Sequence, residues 1–188
     1  EQDIRKMGGL KKYISTTHIT FLIGTLAIAG CFPFSGFFSK DEILATVFAH
    51  NKLLWALGII GAAMTTFYMF RLYFLTFHGK FRGTHEQEHH LHESPKSMTI
   101  PLIVLAVLSI AGGLFGIRAV LHGTHYLQAF LSPVLEAASV RLVHHLSHTT
   151  EYILMGVATV VMIGAIYYAF TTYVKKGVLP PAEGEDLA

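Results

Sequence analysis

Phe32-Pro33-Phe34-Ser35-Gly36-Phe37-Phe38-Ser39-Lys40-Asp41-Glu42-Ile43-Leu44 sets a helix-breaking proline and glycine, then three charges, inside an otherwise apolar stretch. From Ile19 to Ala49 the formal charges are Lys40, Asp41 and Glu42 alone. In lipid each such side chain costs about 2.5–3.5 kcal/mol or more unless it faces a partner or water, so charges there often mark ion pathways. Run as one straight helix, Ile19–Ala49 would measure about 46 Å, against a hydrocarbon core of about 30 Å. Something has to interrupt it. Pro33 lacks an amide proton and clashes with the preceding turn, and Gly36 allows backbone angles that other residues avoid.

Two half-helices are therefore expected, joined by an unwound Phe32–Gly36 segment, with the second starting near Phe37. Freed amides and carbonyls at such a break bind ions or water only where protein shields them from lipid. On the second half-helix Lys40 shares a face with Leu44 and Val47, while Asp41 and Glu42 are each turned about 100° further round the axis. A lysine amine can exchange its proton where water is scarce, as a proton relay requires. The competing reading makes Lys40-Asp41-Glu42 the outer interface of an ordinary span, with residues 43–49 lying on the membrane surface.

The rest of the chain has the same solvent in view. Of 188 residues, 52% are hydrophobic and 14% charged, against about 25% charged in a typical soluble domain, and the mean hydropathy is +0.49. The apolar stretches 18–49 (broken), 53–77, 100–117 and 152–174 each reach the roughly 20 residues a spanning helix needs. They are too long and too continuously apolar for barrel strands. The expected fold is an all-α integral membrane bundle of four spans, with the first discontinuous at Pro33–Gly36. A single cysteine, Cys31, excludes an internal disulfide and any iron–sulfur cluster ligated by this chain alone. There is no phosphate-binding or dinucleotide-binding glycine fingerprint, and no nucleic-acid partner is expected. Glu1-Gln2-Asp3 at one end and Pro180-Pro181 followed by acids at the other suggest a piece of a longer protein.

Basic residues fall unevenly. Arg5, Lys6, Lys11 and Lys12 precede the first span, Lys80, Arg82 and Lys96 lie between the second and third, and Lys175 and Lys176 follow the fourth. The opposite loops hold only Lys52, Arg118 and Arg141. Positive-inside asymmetry thus puts residues 1–17, the loop 79–98 and the linker 175–188 in the cytoplasm of a bacterial inner membrane. Tyr13, Trp55, Tyr73, Tyr152 and Tyr173 sit near span ends, as interfacial aromatics do.

Several runs also match a known pattern: Ile4-Arg5-Lys6-Met7-Gly8-Gly9-Leu10, then Pro33 through Leu44, then Met64-Thr65-Thr66-Phe67-Tyr68-Met69-Phe70-Arg71 and Phe77-His78-Gly79. Together they resemble the L-type subunit of respiratory complex I, the proton-pumping NADH:quinone oxidoreductase, an antiporter-like subunit related to Mrp sodium/proton antiporters. The Ser-Lys-Asp-Glu run after Gly-Phe-Phe marks the L type, since the sister M and N types tend to carry glutamate there. The resemblance implies a late portion of the subunit, containing its second discontinuous helix. It assigns Lys40 the role of a proton-channel residue on the exit side, modulated by Asp41, with Glu42 in the same run. It also implies that NADH, FMN, iron–sulfur clusters and quinone are held by partner subunits, that this chain holds no cofactor, and that the M-type subunit is a neighbour. The earlier repeats and the lateral helix of that family are not in this chain. Mrp-type and membrane-hydrogenase antiporter-like subunits share the motif and remain as alternatives.

Arg71, near the cytoplasmic end of the second span, is read as snorkelling to the interface or as one half of a structural ion pair beside the small-residue side Gly58, Gly61, Ala62 and Thr65. Thr84-His85-Glu86-Gln87-Glu88-His89-His90-Leu91-His92-Glu93 contains a His-Glu-x-x-His match to zinc proteases. The segment is polar all round and lies in a loop beside Gly83 and Pro95, so it reads as solvated. A metal-collecting loop using His85, His89, His90 and His92, as in a zinc transporter, is the rival from another class; a plain membrane scaffold is a third. Residues 122–149 read as an outer amphipathic helix carrying His122, His125, His144, His145 and His148.

Overall fold

The computed structural model describes residues 3–113, 130–131, 133 and 147–180, and among these every regular element is helical. The helices are α1 (Ser15–Ala29), α2 (Ser35–His50), α3 (Lys52–Phe77), the short α4 (His85–His89), α5 (Lys96–Ala111) and α6 (His148–Phe170), which runs on through a wider π-type turn at Thr171–Lys175. Most of the stretch expected as an outer amphipathic helix lies outside the described residues, as does 181–188.

By length and composition two helices can cross a membrane, Lys52–Phe77 and His148–Lys175, while α1 and α5 are shorter apolar helices. Their outer faces are apolar and open. Leu53, Leu57, Ile60 and Met64 on α3 and Val104, Leu105 and Leu108 on α5 are all exposed, the reverse of a soluble protein and the arrangement lipid or partner helices require. α3 packs most extensively on α6, α1 lies against α5 and α3, and α2 lies against α3. The core gathers Phe70, Tyr73, Phe74 and Phe77 from the second half of α3 with Leu10 and Ala169.

The first apolar stretch is broken, as its length demands, but at a different place from the one its proline and glycine suggest. α1 stops at Ala29 because Gly30 takes a left-handed φ of 83°. Its amide donates to the Ala27 carbonyl at 3.1 Å and the Cys31 amide to the Leu26 carbonyl at 3.0 Å, a Schellman ending that only a residue at ease in that region adopts cheaply. The connection is 30–34 and not 32–36. α2 resumes at Ser35, so Gly36 is already helical. Its lack of a side chain serves contact instead: a Cβ there would stand 1.8 Å from the Ala27 carbonyl oxygen. Asn51 then separates α2 from α3 and caps the latter by accepting from the Leu53 and Leu54 amides at 2.9 and 3.2 Å.

At the opposite end, the N-terminal segment and the loop after α3 are tied together. The Gly9 amide donates to the His78 carbonyl at 3.0 Å, and a Cβ at Gly8 would meet the Lys80 carbonyl oxygen at 2.4 Å. The Arg82 guanidinium donates to the carbonyls of Arg5 (2.9 Å), Ile4 (3.1 Å) and Leu75 (2.8 Å). The Met7-Gly8-Gly9-Leu10 and Phe77-His78-Gly79 runs, far apart in the chain, are thus one contact.

The histidine-rich loop exposes all four of its histidines, as its polar pattern suggests, but it is anchored to the helices at two points. Thr84 and Gln87 form a capping box that starts α4, and Tyr13 donates its hydroxyl to the Glu88 carboxylate. Glu93 reaches the bare N-terminal end of α1 and accepts from the Thr16 amide at 2.6 Å and the Thr17 hydroxyl at 2.7 Å. α1 has no capping side chain of its own, so a residue 77 positions away supplies one.

Candidate functional site

The last carbonyls of a helix have no partner within it. In α1 the Schellman ending satisfies Leu26 and Ala27 and leaves Ile28 and Ala29. Lys40, one turn into α2, reaches back across the break and donates to the Ile28 carbonyl at 2.7 Å and to that of Ala29 at 3.5 Å. The lysine stem passes close to Gly30, where a Cβ would stand 3.4 Å from it, in ordinary contact. A cation at a helix C-terminus meets the negative end of the helix dipole. Lys40 is therefore held by geometry and charge.

Two spaces meet at this amine. One is a small internal cavity of about 30 Å³ among the end of α1, α2, α3 and α6, lined by Gly30, Lys40, Asp41, Thr66, Thr159 and Met162. A water needs about 10–15 Å³ by this measure, so one or two fit. The other is an open cleft of about 650 Å³ among α1, α2, α3 and α5, lined by Gly24, Ser35, Gly36, Ser39, Lys40 and Thr65. Lys40 borders both.

Of the three charges in the run, Lys40 is half-buried, Asp41 is 7% exposed and lines the internal cavity, and Glu42 faces outward. The structure thus brings Lys40 and Asp41 together and leaves Glu42 apart. Pro33 lies in the 30–34 connection and Gly36 at the α1–α2 contact. Sequence reasoning missed two wall residues. The hydroxyls of Thr66 and Thr159 donate to the Ala62 and Met155 carbonyls of their own helices at 2.9 and 2.8 Å, which leaves their oxygen lone pairs to accept from whatever fills the cavity. Nothing but their helical spacing from Ala62 and Met155 could have signalled that.

Arg71 lies over the Tyr173 ring, its guanidinium carbon 5.9 Å from the ring centre, and among the described residues it has no carboxylate partner. The expected ion pair is replaced by a cation–π contact. Gly58 does admit a close approach, since a Cβ there would meet the Leu44 side chain at 2.9 Å, whereas Gly61 faces open space. In the histidine loop, His85 and His89 stack with ring centres 4.9 Å apart, and among the described residues no three metal-ligating side chains converge. Outside the spans, burial opposes the Glu93 charge, but hydrogen bonds from Thr17, Thr16 and Ser94 outweigh it and hold this carboxyl below the usual range.

Residues 1–66, which contain the break and Lys40, match the family described as NADH:quinone oxidoreductase/Mrp antiporter, TM. An NAD(P)H-quinone oxidoreductase chain 5 of Picosynechococcus sp. is 47% identical over 173 residues, covering 82% of this chain and 25% of its own length. A protein of the same name from Synechocystis sp. is 46% identical over 151 residues, with 61% and 22% covered. An NADH-quinone oxidoreductase subunit L of Rickettsia bellii is 40% identical over 116 residues, with 62% and 18% covered. The chain spans a quarter or less of the length of these curated relatives.

Proposed function

We propose, from the premise that this chain belongs to the antiporter-like membrane subunits named chain 5 or subunit L, that it carries part of the proton path of an NADH:quinone oxidoreductase. The observation that carries this is the position of Lys40, which borders both a small, partly enclosed cavity and an open cleft and is seated on the carbonyl end of a broken helix. Protonated, it neutralises the negative end of α1. When it gives its proton to water on one side, the Ile28 carbonyl loses a charged donor and the break is free to rearrange before the amine is reprotonated. Asp41, beside the same cavity, biases that exchange electrostatically. Glu42, on the outer face, is left to meet a neighbouring helix.

In this reading the helices make four passages, α1 with α2 forming the first, broken one. The basic segments 1–17, 79–98 and 175–188 face the cytoplasm of a bacterial inner membrane. Quinone reduction in partner subunits, which hold NADH, FMN, iron–sulfur clusters and quinone, drives the proton step, and an M-type subunit is the neighbour. The test is Lys40→Ala in the intact complex: NADH oxidation continues while proton pumping falls. Unchanged pumping overturns the reading. An Mrp-type cation/proton antiporter is the second reading, favoured by the family description itself; purification with antiporter subunits and no NADH dehydrogenase would establish it.

A further inference from the structure

We infer that the Lys40 ammonium occupies a binding site for a monovalent cation, as a tethered substitute for Na⁺, and that this occupancy keeps the site selective for protons. The inference rests on the reading of Lys40 as a proton-transfer residue and adds the reason for its ion specificity.

The carbonyls that accept from the amine, together with the polar groups lining the adjoining cavity, are those of a hard-cation site. Ile28 and Ala29 present carbonyls that their own helix leaves unused, at the negative end of its dipole. Asp41 lines the adjoining cavity, and the Thr66 and Thr159 hydroxyls, each donating to its own helix, offer oxygens as acceptors. All are oxygen ligands, the set that suits hard cations. Broken transmembrane helices use such C-terminal carbonyls to hold Na⁺ or H⁺. The internal cavity, about 30 Å³, has the size of a single water or small ion. Here the cation is supplied by the chain itself.

Tethering decides the competition. An amine fixed by its stem beside the carbonyls is present at a high effective concentration, and free Na⁺ must displace it to enter. A proton needs no such displacement, because it arrives at and leaves from the amine nitrogen. Removing the amine without filling its place leaves carbonyl oxygens unsatisfied in a low-dielectric setting, where a small cation restores the balance.

The experiment uses the intact complex in proteoliposomes, with wild type compared to Lys40→Ala, Lys40→Ser and Lys40→Arg. Retention of ²²Na⁺ and the dependence of the thermal midpoint on NaCl, against choline chloride at equal ionic strength, are both read. Lys40→Ala is expected to retain one further Na⁺ per complex and to gain thermal stability with NaCl by mass action. Lys40→Ser should do the same and serves if the alanine variant assembles poorly, whereas Lys40→Arg, which keeps a cation in place but cannot release its proton, should retain no further Na⁺ and gain no stability with NaCl while its pumping falls. Equal Na⁺ retention by wild type and both small variants, with pumping lost, overturns this inference while leaving the proton-transfer role standing. Normal pumping in the small variants defeats the proton-transfer role itself.

Discussion

Gly36 and Ala27 touch across the helix break so closely that a Cβ on the glycine would stand 1.8 Å from the Ala27 carbonyl oxygen. The atom in the way is backbone, which cannot swing aside. Gly36→Ala must therefore pry α2 off α1, at the overpacking cost of about 1–3 kcal/mol or more, and withdraw Lys40 from the Ile28 carbonyl. We expect Gly36→Ala to reduce the assembled complex on native gels. Gly30→Ala, with φ at 83° and 3.4 Å of space before Lys40, should cost only the left-handed penalty of about 1–2 kcal/mol. Equal amounts of complex from Gly36→Ala and wild type would contradict the contact.

The cap that Glu93 places on α1 has a pH signature. Its folded carboxyl lies below the usual range, so its contribution is complete above the unfolded value of about 4.3 and fades as pH falls through the folded one. The group is only partly buried, so screening keeps the effect near that of an ordinary cap, about 1 kcal/mol. Glu93→Ala should speed amide exchange of Thr16 and Thr17 about fivefold at neutral pH. In the wild type the same amides should lose protection only on acidification below that window. Exchange at Thr16 and Thr17 that ignores both the substitution and the pH would show that Glu93 caps nothing.

Arg82 ties the N-terminal segment, through the carbonyls of Ile4 and Arg5, to the Leu75 carbonyl of α3. Arg82→Ala should cost about 1.5–3 kcal/mol, since the lost bonds are charge-assisted, and should open the chain to trypsin at Arg5 and Lys6. Arg82→Lys should rescue only partly, because an ammonium lacks the guanidinium fork whose Nε reaches the Arg5 carbonyl while Nη2 reaches those of Ile4 and Leu75. Full protection in Arg82→Lys would contradict the bidentate reading.

Arg71 and Tyr173 are predicted to act as a pair. Arg71→Ala, Tyr173→Ala and the double variant should show a coupling of about 0.5–1 kcal/mol in thermal stability of the complex. Additive losses would mean that the ring and the guanidinium do not sense one another.

How much of this could be read from residues alone depends on how local each cause was. A broken first helix followed from its excess length and Pro33, and Lys40 stood out as a charge with no business in lipid. The position of the break did not follow, because Pro33 and Gly36 drew attention from Gly30, which ends α1 by its left-handed backbone while Gly36 makes a packing contact inside α2. The histidine loop looked solvated since no face of it is apolar, and its histidines are indeed exposed. Its docking depends on Tyr13 with Glu88 and Thr16 with Glu93, partners 75 and 77 residues apart, for which a linear pattern holds no signal. Arg82 counted only as a marker of membrane orientation, yet its carbonyl partners make it an anchor. Arg71, expected to snorkel or to form half of an ion pair, lies over the Tyr173 ring, a contact a guanidinium makes as readily as one with an acid and that the sequence between them does not signal.

The most direct test is the proton-to-electron ratio of NADH oxidation in inverted vesicles carrying the intact complex with Lys40→Ala. The seat of Lys40 on the Ile28 carbonyl, bordering the small cavity and the open cleft, predicts a lowered ratio with NADH oxidation retained. A ratio equal to wild type in a fully assembled Lys40→Ala complex would contradict it.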